Sequence, residues 1–275
     1  MDRMLLLGNK AGNIRLFDIK EKKTIQEVAS DPAFPRVVSL ACNQSGSVFV
    51  CSSNSKLRVP SGGNIDPLPR SGRLDLWDMK TMKLETHLPI GDQDTAINCT
   101  VFNHNGHLLL TGGADGKIRL FDVTKCECIA DWEAHEGEVY SVQFSSDENS
   151  CYSMGNDGKF IEWSMNITGR KVEELNIHPG ATGPFELPAY GGYKQVQTPK
   201  GKLFAFDSEG QYVLTCQQNG GLIYKMEGKQ LSRSLSLGGH KAPVVCVDWA
   251  SAIDCRTCLT GSMDGKVRAS TLLRQ

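Results

Sequence analysis

The sequence predicts an all-β chain folded as a β-propeller, and three observations carry that expectation. A glycine turn followed by a short alternating strand returns six times: GNIRLFD from Gly12, GRLDLWD from Gly72, GKIRLFD from Gly116, GKFIEWS from Gly158, GGLIYKM from Gly220 and GKVRAST from Gly265. Successive glycines stand 60, 44, 42, 62 and 45 residues apart, and three of these intervals match the ~40–45 residues of one four-stranded propeller blade. Asp-Gly precedes the repeated strand at Asp115-Gly116, Asp157-Gly158 and Asp264-Gly265, where a tight hairpin needs residues that tolerate positive φ.

Each repeated strand is the third of its unit. Ahead of most copies stand an innermost strand, apolar on both faces (VVSLACN, INCTVFN, VYSVQFS, KLFAFDS, VVCVDWA), and a second strand (VFVCSS, LLLTGG, CYSMGN, YVLTCQ, CLTGSM). Polar turns such as NQSG, NHNG and DSEG join the two. Antiparallel four-stranded units repeated radially are the propeller pattern. The first unit begins at MLLLG, a second strand, and the last stops at KVRASTLLRQ, a third. Six recognisable units, the first and last incomplete, therefore predict a partial seven-bladed propeller and a fragment or truncated isoform of a longer protein. Its unpaired edges make it less stable than the parent. The chain reads as a single domain over residues 1–275, with insertions at about 55–72 and 178–201.

Composition narrows the function. The 275 residues are 40% hydrophobic and 22% charged, with 30 basic against 31 acidic side chains. That balance builds no basic field for nucleic acid or an anionic membrane, and no apolar run reaches the ~18 residues of a membrane span. Most of the ten cysteines sit in apolar runs, including Cys42, Cys99, Cys216 and Cys246. They read as small buried hydrophobes in a reduced cytosolic protein rather than as a disulfide framework. Cys255 and Cys258 form one CxxC without a second pair, short of a zinc site. No metal and no cofactor is expected.

In one unit His135 precedes the inner strand, Ser153 lies on the second, Asp157 in the turn and Trp163 on the third. This resembles the structural tetrad of the WD40 family, which links three strands by side-chain hydrogen bonds. A Ser, a His and an Asp also make a hydrolase triad, but the repeat already explains their spacing. Other units keep fragments: His240, Thr260 and Asp264 with Ser270 at the Trp position, and Thr111 and Asp115 with Phe121 there. These blades are expected to depend on packing more than on a polar network. No nucleophile elbow, phosphate loop or paired metal-ligand motif occurs, so no enzyme is expected.

The segments LPAYGGYKQVQTPKGKLFAFDSEG, AINCTVFNHNGHLLLTGGADGKIRLFD, GEVYSVQFSSDEN and GHKAPVVCVDW with CLTGSMDGKV together resemble the C-terminal propeller of the WD repeat-containing protein 91 family, along nearly the whole chain. The resemblance implies a non-enzymatic scaffold in endosomal trafficking, cytoplasmic and peripheral on early and late endosome membranes. Its implied partners are a late-endosomal Rab GTPase, a sister WD-repeat protein and the Beclin-containing phosphatidylinositol 3-kinase complex, which it restrains. Neither nucleic acid nor a transmembrane anchor belongs to that reading. Tyr190, Tyr193 and Lys194, in the second insertion, are the candidate partner-binding residues, because tyrosine beside a cation makes a good interface anchor. The bland reading of the same stretch folds Phe185 and the tyrosines back over a blade edge. The alternative function is a substrate receptor of a cullin-type ubiquitin ligase. Such receptors often carry Trp-Asp-x-Arg after the third strand, where this chain has Lys20, Lys80 and Thr124.

Overall fold

The computed structural model describes residues 4–55, 71–91, 95–186, 196–197, 199, 201–250 and 256–272. They are strands and turns throughout, gathered into two compact units that divide between Glu133 and Ala134. Six sheets are blades of the propeller type, three in each unit.

In the first unit, β1 (Met4–Gly8), β2 (Asn13–Asp18) and β3 (Lys23–Ala29) form a three-stranded meander. Next come β4 (Arg36–Cys42), β5 (Val48–Asn54), β6 (Gly72–Asp78) and β7 (Lys83–His87). The third blade holds β8 (Ile97–Phe102), β9 (Leu108–Gly113), β10 (Lys117–Asp122) and β11 (Glu127–Glu133). In the second unit, β12 (Val139–Phe144), β13 (Ser150–Gly155), β14 (Phe160–Ser164) and β15 (Arg170–Leu175) make the fourth blade. A two-residue pair, β16 (Phe185–Glu186) with β17 (Val196–Gln197), lies in the second insertion. The fifth blade is β18 (Phe204–Phe206), β19 (Tyr212–Gln217), β20 (Gly220–Glu227) and β21 (Gln230–Leu237). The sixth is β22 (Val244–Trp249), β23 (Thr257–Ser262) and β24 (Val267–Thr271).

The strand pattern follows burial. Second strands such as β5 and β13 are buried along almost their whole length, whereas the outer strands β3, β11 and β15 alternate or lie exposed. A strand covered on both faces must be apolar or hydrogen-bonded throughout, and one with a wet face is free to alternate. In the first unit, Ile14, Phe49, Cys51, Trp77 and Met82 fill one layer and Val50, Leu74, Leu76, Ile97, Leu109 and Phe121 another. In the second, Phe160, Phe204, Val213, Leu214, Tyr224 and Val244 belong to one cluster. Complete burial of a phenylalanine such as Phe204 stabilises by about 2–3 kcal/mol. KLFAFDS makes a shorter inner strand than expected, with only three residues in β18. Its neighbour Leu203 instead donates its backbone N–H to Ser141 Oγ at 3.3 Å.

Two details of register recur. In all five blades that have both a third and a fourth strand, a bulge falls at one place, between Leu16 and Phe17, Leu76 and Trp77, Leu120 and Phe121, Glu162 and Trp163, and Ile223 and Tyr224. Bulges twist an edge away from flat pairing. The aspartate that follows this position caps the next turn: Asp18 Oδ1 accepts the Glu21 N–H at 2.8 Å, Asp78 Oδ1 the Thr81 N–H at 2.6 Å and Asp122 Oδ1 the Thr124 N–H at 3.0 Å. Glycine is demanded differently at two of the repeat positions. Gly158 takes φ 79° in its Asp-Gly turn. At Gly72 the constraint is space, because a Cβ would stand 2.7 Å from Ala96 Cα and from Thr95 O.

Nine described cysteines are free thiols. Cys42, expected to be buried, is exposed: it is the last residue of β4, a strand whose other residues are only half-buried.

Candidate functional site

The polar features of the blades concentrate where the third strand begins and the inner strand is entered. In the fourth blade the structure brings all four predicted residues together. Trp163 Nε1–H donates to Ser153 Oγ at 2.8 Å, and Ser153 Oγ and His135 Nε2 lie 2.8 Å apart. His135 Nδ1 faces Asp157 Oδ1 at 2.8 Å, and Asp157 also accepts the backbone N–H of Lys159 and of Glu136. With the proton on Nδ1, every group has a partner: Trp donates to Ser, Ser to His, His to Asp. Burial pushes the His135 pKa down against the pull of Asp157, which keeps the ring neutral. Burial raises the Asp157 pKa, but His135 and the amide donors hold it below the ordinary carboxylate value. The Ser–His–Asp order is that of a hydrolase, yet Ser153 is 0% exposed and already serves Trp163. No substrate carbonyl reaches its oxygen, so the constellation is a clamp on three strands.

Register identifies the same positions in the other blades, where the fragments expected from the sequence make polar contacts beside the packing. In the sixth, His240 Nε2 meets Thr260 Oγ1 at 2.9 Å and Nδ1 meets Asp264 at 3.2 Å. There the amide of Lys241, then His240, bring the Asp264 pKa down to about 2. Ser270, opposite Cys258, occupies the tryptophan position. In the third blade Thr111 lies opposite Arg119, whose guanidinium grips Asp115 at 3.2 and 2.5 Å. An arginine on the third strand thus does the work of the histidine.

The fifth blade hides its histidine. His135 and His240 each stand four residues ahead of their inner strands, but His178 precedes the insertion and its strand starts only at residue 204. Its Nε2 donates to Cys216 O at 2.9 Å, so Nδ1, at 2.9 Å, accepts the hydroxyl proton of Tyr224. The same Tyr224 oxygen accepts the His178 N–H at 3.0 Å. Tyr224, opposite Val213, holds the register position of Trp163. Desolvation lowers the His178 pKa. The signal available in the sequence was the NIH ahead of the insertion; the broken spacing concealed it.

The second blade departs furthest. Cys51 stands where Ser153 does, and the neighbouring Trp77 keeps its Nε1–H buried without a hydrogen-bond partner among the described residues. The polar contacts run instead from Arg73 to Asp31 and from Asp75 Oδ1 to His87 Nδ1 at 2.6 Å, with the Arg73 guanidinium 5.2 Å from the Phe34 ring centre. Burial raises the Asp75 pKa against the pull of His87 and Arg73. Cys51, Asp75 and His87 place a thiol, a carboxylate and an imidazole on adjacent strands. Desolvation pushes the Cys51 thiol up to about 12, and with 0% exposure it has neither the thiolate nor the access that nucleophilic attack requires. Among the described residues, no group of three His, Cys, Asp or Glu side chains suits a metal ion, and no helix is long and apolar enough to cross a membrane.

The first insertion lies almost wholly outside the described residues, and so do Tyr190, Tyr193 and Lys194. The base of the second is described. Ala181, Thr182 and Phe185 are buried, and Phe185 joins the core of Phe204, Val213 and Tyr224. Phe185 pairs with Gln197 and Glu186 with Val196, closing the base of the segment 187–195.

Two family descriptions match the sequence: "Anaphase-promoting complex subunit 4 WD40 domain" over residues 70–147 and "WD domain, G-beta repeat" over 230–269. A chain in a structure titled "Crystal Structure of Mitotic Checkpoint Complex" superposes with a TM-score of 0.71, covering 99% of this chain and 72% of that one, at 15% identity. That likeness concerns the fold alone. Curated relatives called "WD repeat-containing protein 91" are 53% identical in Gallus gallus, over 100% of this chain and 38% of theirs, and 54% identical in Pongo abelii, over 99% and 40%. In Dictyostelium discoideum, "WD repeat-containing protein 91 homolog" is 32% identical over 98% of this chain and 32% of that protein. The chain spans about 38% of the length of the first of these relatives. Matched from end to end by proteins of one name, it belongs to the WD repeat-containing protein 91 family, of which it represents a partial region.

Proposed function

We propose that the chain is a non-enzymatic interaction scaffold in endosomal trafficking. In this reading it promotes early-to-late endosome conversion by binding a late-endosomal Rab GTPase. It also restrains the Beclin-containing phosphatidylinositol 3-kinase complex, acting with a sister WD-repeat protein while peripheral on the cytoplasmic face of endosomes. The observation that carries this reading is the end-to-end match to WD repeat-containing protein 91 relatives at 53% identity. The buried Ser153 and Cys51 support the non-enzymatic part, since the two hydrolase-like constellations are closed to substrate.

A base pinned by Phe185 and His178 is a suitable mount for a recognition loop, because functional loops work from rigid scaffolds. Tyr190, Tyr193 and Lys194 are therefore the first residues to substitute. The test is capture of the late-endosomal Rab GTPase by the purified chain, in the GTP state against the GDP state, with a cooperative thermal melt as the folding control. Selective capture that Tyr190→Ala with Tyr193→Ala weakens at least tenfold supports the reading. A folded sample that captures neither state moves the contact to the remainder of the longer relatives.

A further inference from the structure

Among the described residues, five outer strands end their sheets, and each presents a row of backbone groups that another strand can pair with. All five bulge at the same register, so the bulge does not distinguish them. Charge does. β3 carries Lys23 and Glu27, β7 carries Lys83 and Glu85, β11 has Glu127, Asp131 and Glu133, and β15 has Arg170, Lys171, Glu173 and Glu174. Most of these strands also take part in ion pairs, such as Arg15–Glu27, Lys117–Asp131 and Lys171–Glu174. β21, QLSRSLSL, has a single charge, Arg233, and it is the longest of the five at 8 residues, an edge of about 26 Å. Arg233 is exposed and forms no ion pair among the described residues, while Lys225 and Lys229 beside it are matched by Glu227 and Glu173. Serines alternate along the strand, and Leu235 is 45% exposed.

We infer that β21 is a strand-addition site for an extended peptide segment that carries a carboxylate opposite Arg233. Main-chain pairing along the edge supplies the affinity, and the side chain facing the lone cation supplies the selection. A second copy of the chain is the disfavoured occupant. Antiparallel self-pairing in the register that sets Arg233 opposite itself brings two like charges together, which repel across strands, and in any other register QLSRSLSL has no carboxylate to set opposite Arg233. A lysine-bearing segment is rejected on the same ground. The charged outer strands β11 and β15 are protected in the way natural edges usually are.

The probes are three labelled ten-residue peptides of alternating threonine and valine with a central aspartate, lysine or proline. Binding to the intact chain is read by fluorescence anisotropy, and the segment engaged by amide hydrogen exchange. The aspartate peptide is expected to bind at least tenfold more tightly than the lysine peptide, the proline peptide not at all, with added protection confined to Gln230–Leu237. Arg233→Glu, an exposed change that leaves the thermal melt in place, is expected to reverse the order of the first two. The inference is overturned if no peptide binds, or if Arg233→Glu leaves the order unchanged. Protection on β1, β24 or another edge overturns it as well, as does a chain that self-associates with protection of β21 in sedimentation and exchange.

Discussion

The two units solve one problem with different chemistry. In the second, each blade is clamped where the third strand begins by a histidine: His135 to Ser153 and Asp157, His178 to Tyr224 and Cys216 O, His240 to Thr260 and Asp264. In the first, the corresponding end of two blades is held by arginine and carboxylate, Arg119 with Asp115 and Arg73 with Asp31. The positions are shared while the residues are not. What the repeat requires there is a polar bridge between the third strand and a turn or loop beside it, and several donor–acceptor sets meet that need. The cost of variation shows in the second blade, where Cys51 gives Trp77 Nε1 nothing to donate to.

The largest expected effect tests whether the histidine network is a cooperative unit. Ser153→Ala removes the oxygen that serves both Trp163 Nε1–H and His135 Nε2, which costs about 3 kcal/mol at roughly 1–3 kcal/mol for each buried hydrogen bond lost. Cys51→Ser should move the other way. An oxygen at that register position offers Trp77 the acceptor that Trp163 already has, for a gain of about 1 kcal/mol. Denaturant midpoints of the two variants measure both changes. Equal and small losses from the pair would mean that the aromatic packing, and not the hydrogen bonds, holds these ends.

Acidification separates the units next. Burial holds the folded-state pKa of His135 and of His178 below the ordinary histidine value of 6.5. The unfolded chain then binds more protons, so stability present above about pH 6.5 falls as pH drops through that value toward the lowered folded ones. The slope is at most about 1.4 kcal/mol per pH unit for each histidine. The first unit's clamps respond otherwise. The Ala33 amide and then Arg73 hold the Asp31 pKa below its ordinary 3.8 against desolvation, so that clamp stays charged over this range, and Asp75, whose pKa burial raises from 3.8, is relieved rather than strained by protonation. Hydrogen exchange at pH 7.5 and 5.5, corrected for intrinsic rates, should show protection lost from β12–β15 and β18–β21 and kept in β4–β11. Equal losses in both units would sink the distinction.

The sequence made the architecture readable because the glycine turns and alternating strands are local signals. Gly12, Gly72, Gly116, Gly158, Gly220 and Gly265 each stand at or just before a third strand. His135, Ser153, Asp157 and Trp163 were readable as a set because their spacing is uninterrupted. Three things were not. His178 is separated from its strand by an insertion, so no fixed spacing marks it. Arg119 and Arg73 look like ordinary strand residues until register places a carboxylate beside them. For the second insertion the sequence leaves two readings open, Phe185 folded back over a blade edge or a stretch given to recognition, and only the packing of Phe185 in the core with Phe204 and Tyr224 places it in the first. Local periodicity carries strands; side-chain partners brought together from distant turns are settled by tertiary geometry.

The smallest effect examines the hidden clamp. Tyr224→Phe keeps the ring, its stacking on His178 at 6.2 Å between centroids and the His178 Nε2–H bond to Cys216 O, but removes the hydroxyl that serves both His178 Nδ1 and the His178 amide. His178 is only partly buried, so water replaces much of what is lost and the global cost should stay near 1 kcal/mol. The specific signature is local. Exchange of the His178 amide should accelerate at least tenfold while the amides of β19 and β20 hold. A loss as large as that of Ser153→Ala would make Tyr224 and His178 a full equivalent of the fourth blade's network. An unchanged His178 amide would mean that the insertion is anchored by Phe185 alone. The histidine would then be a remnant of the repeat pattern, and the contrast between the units would rest on two histidine clamps instead of three.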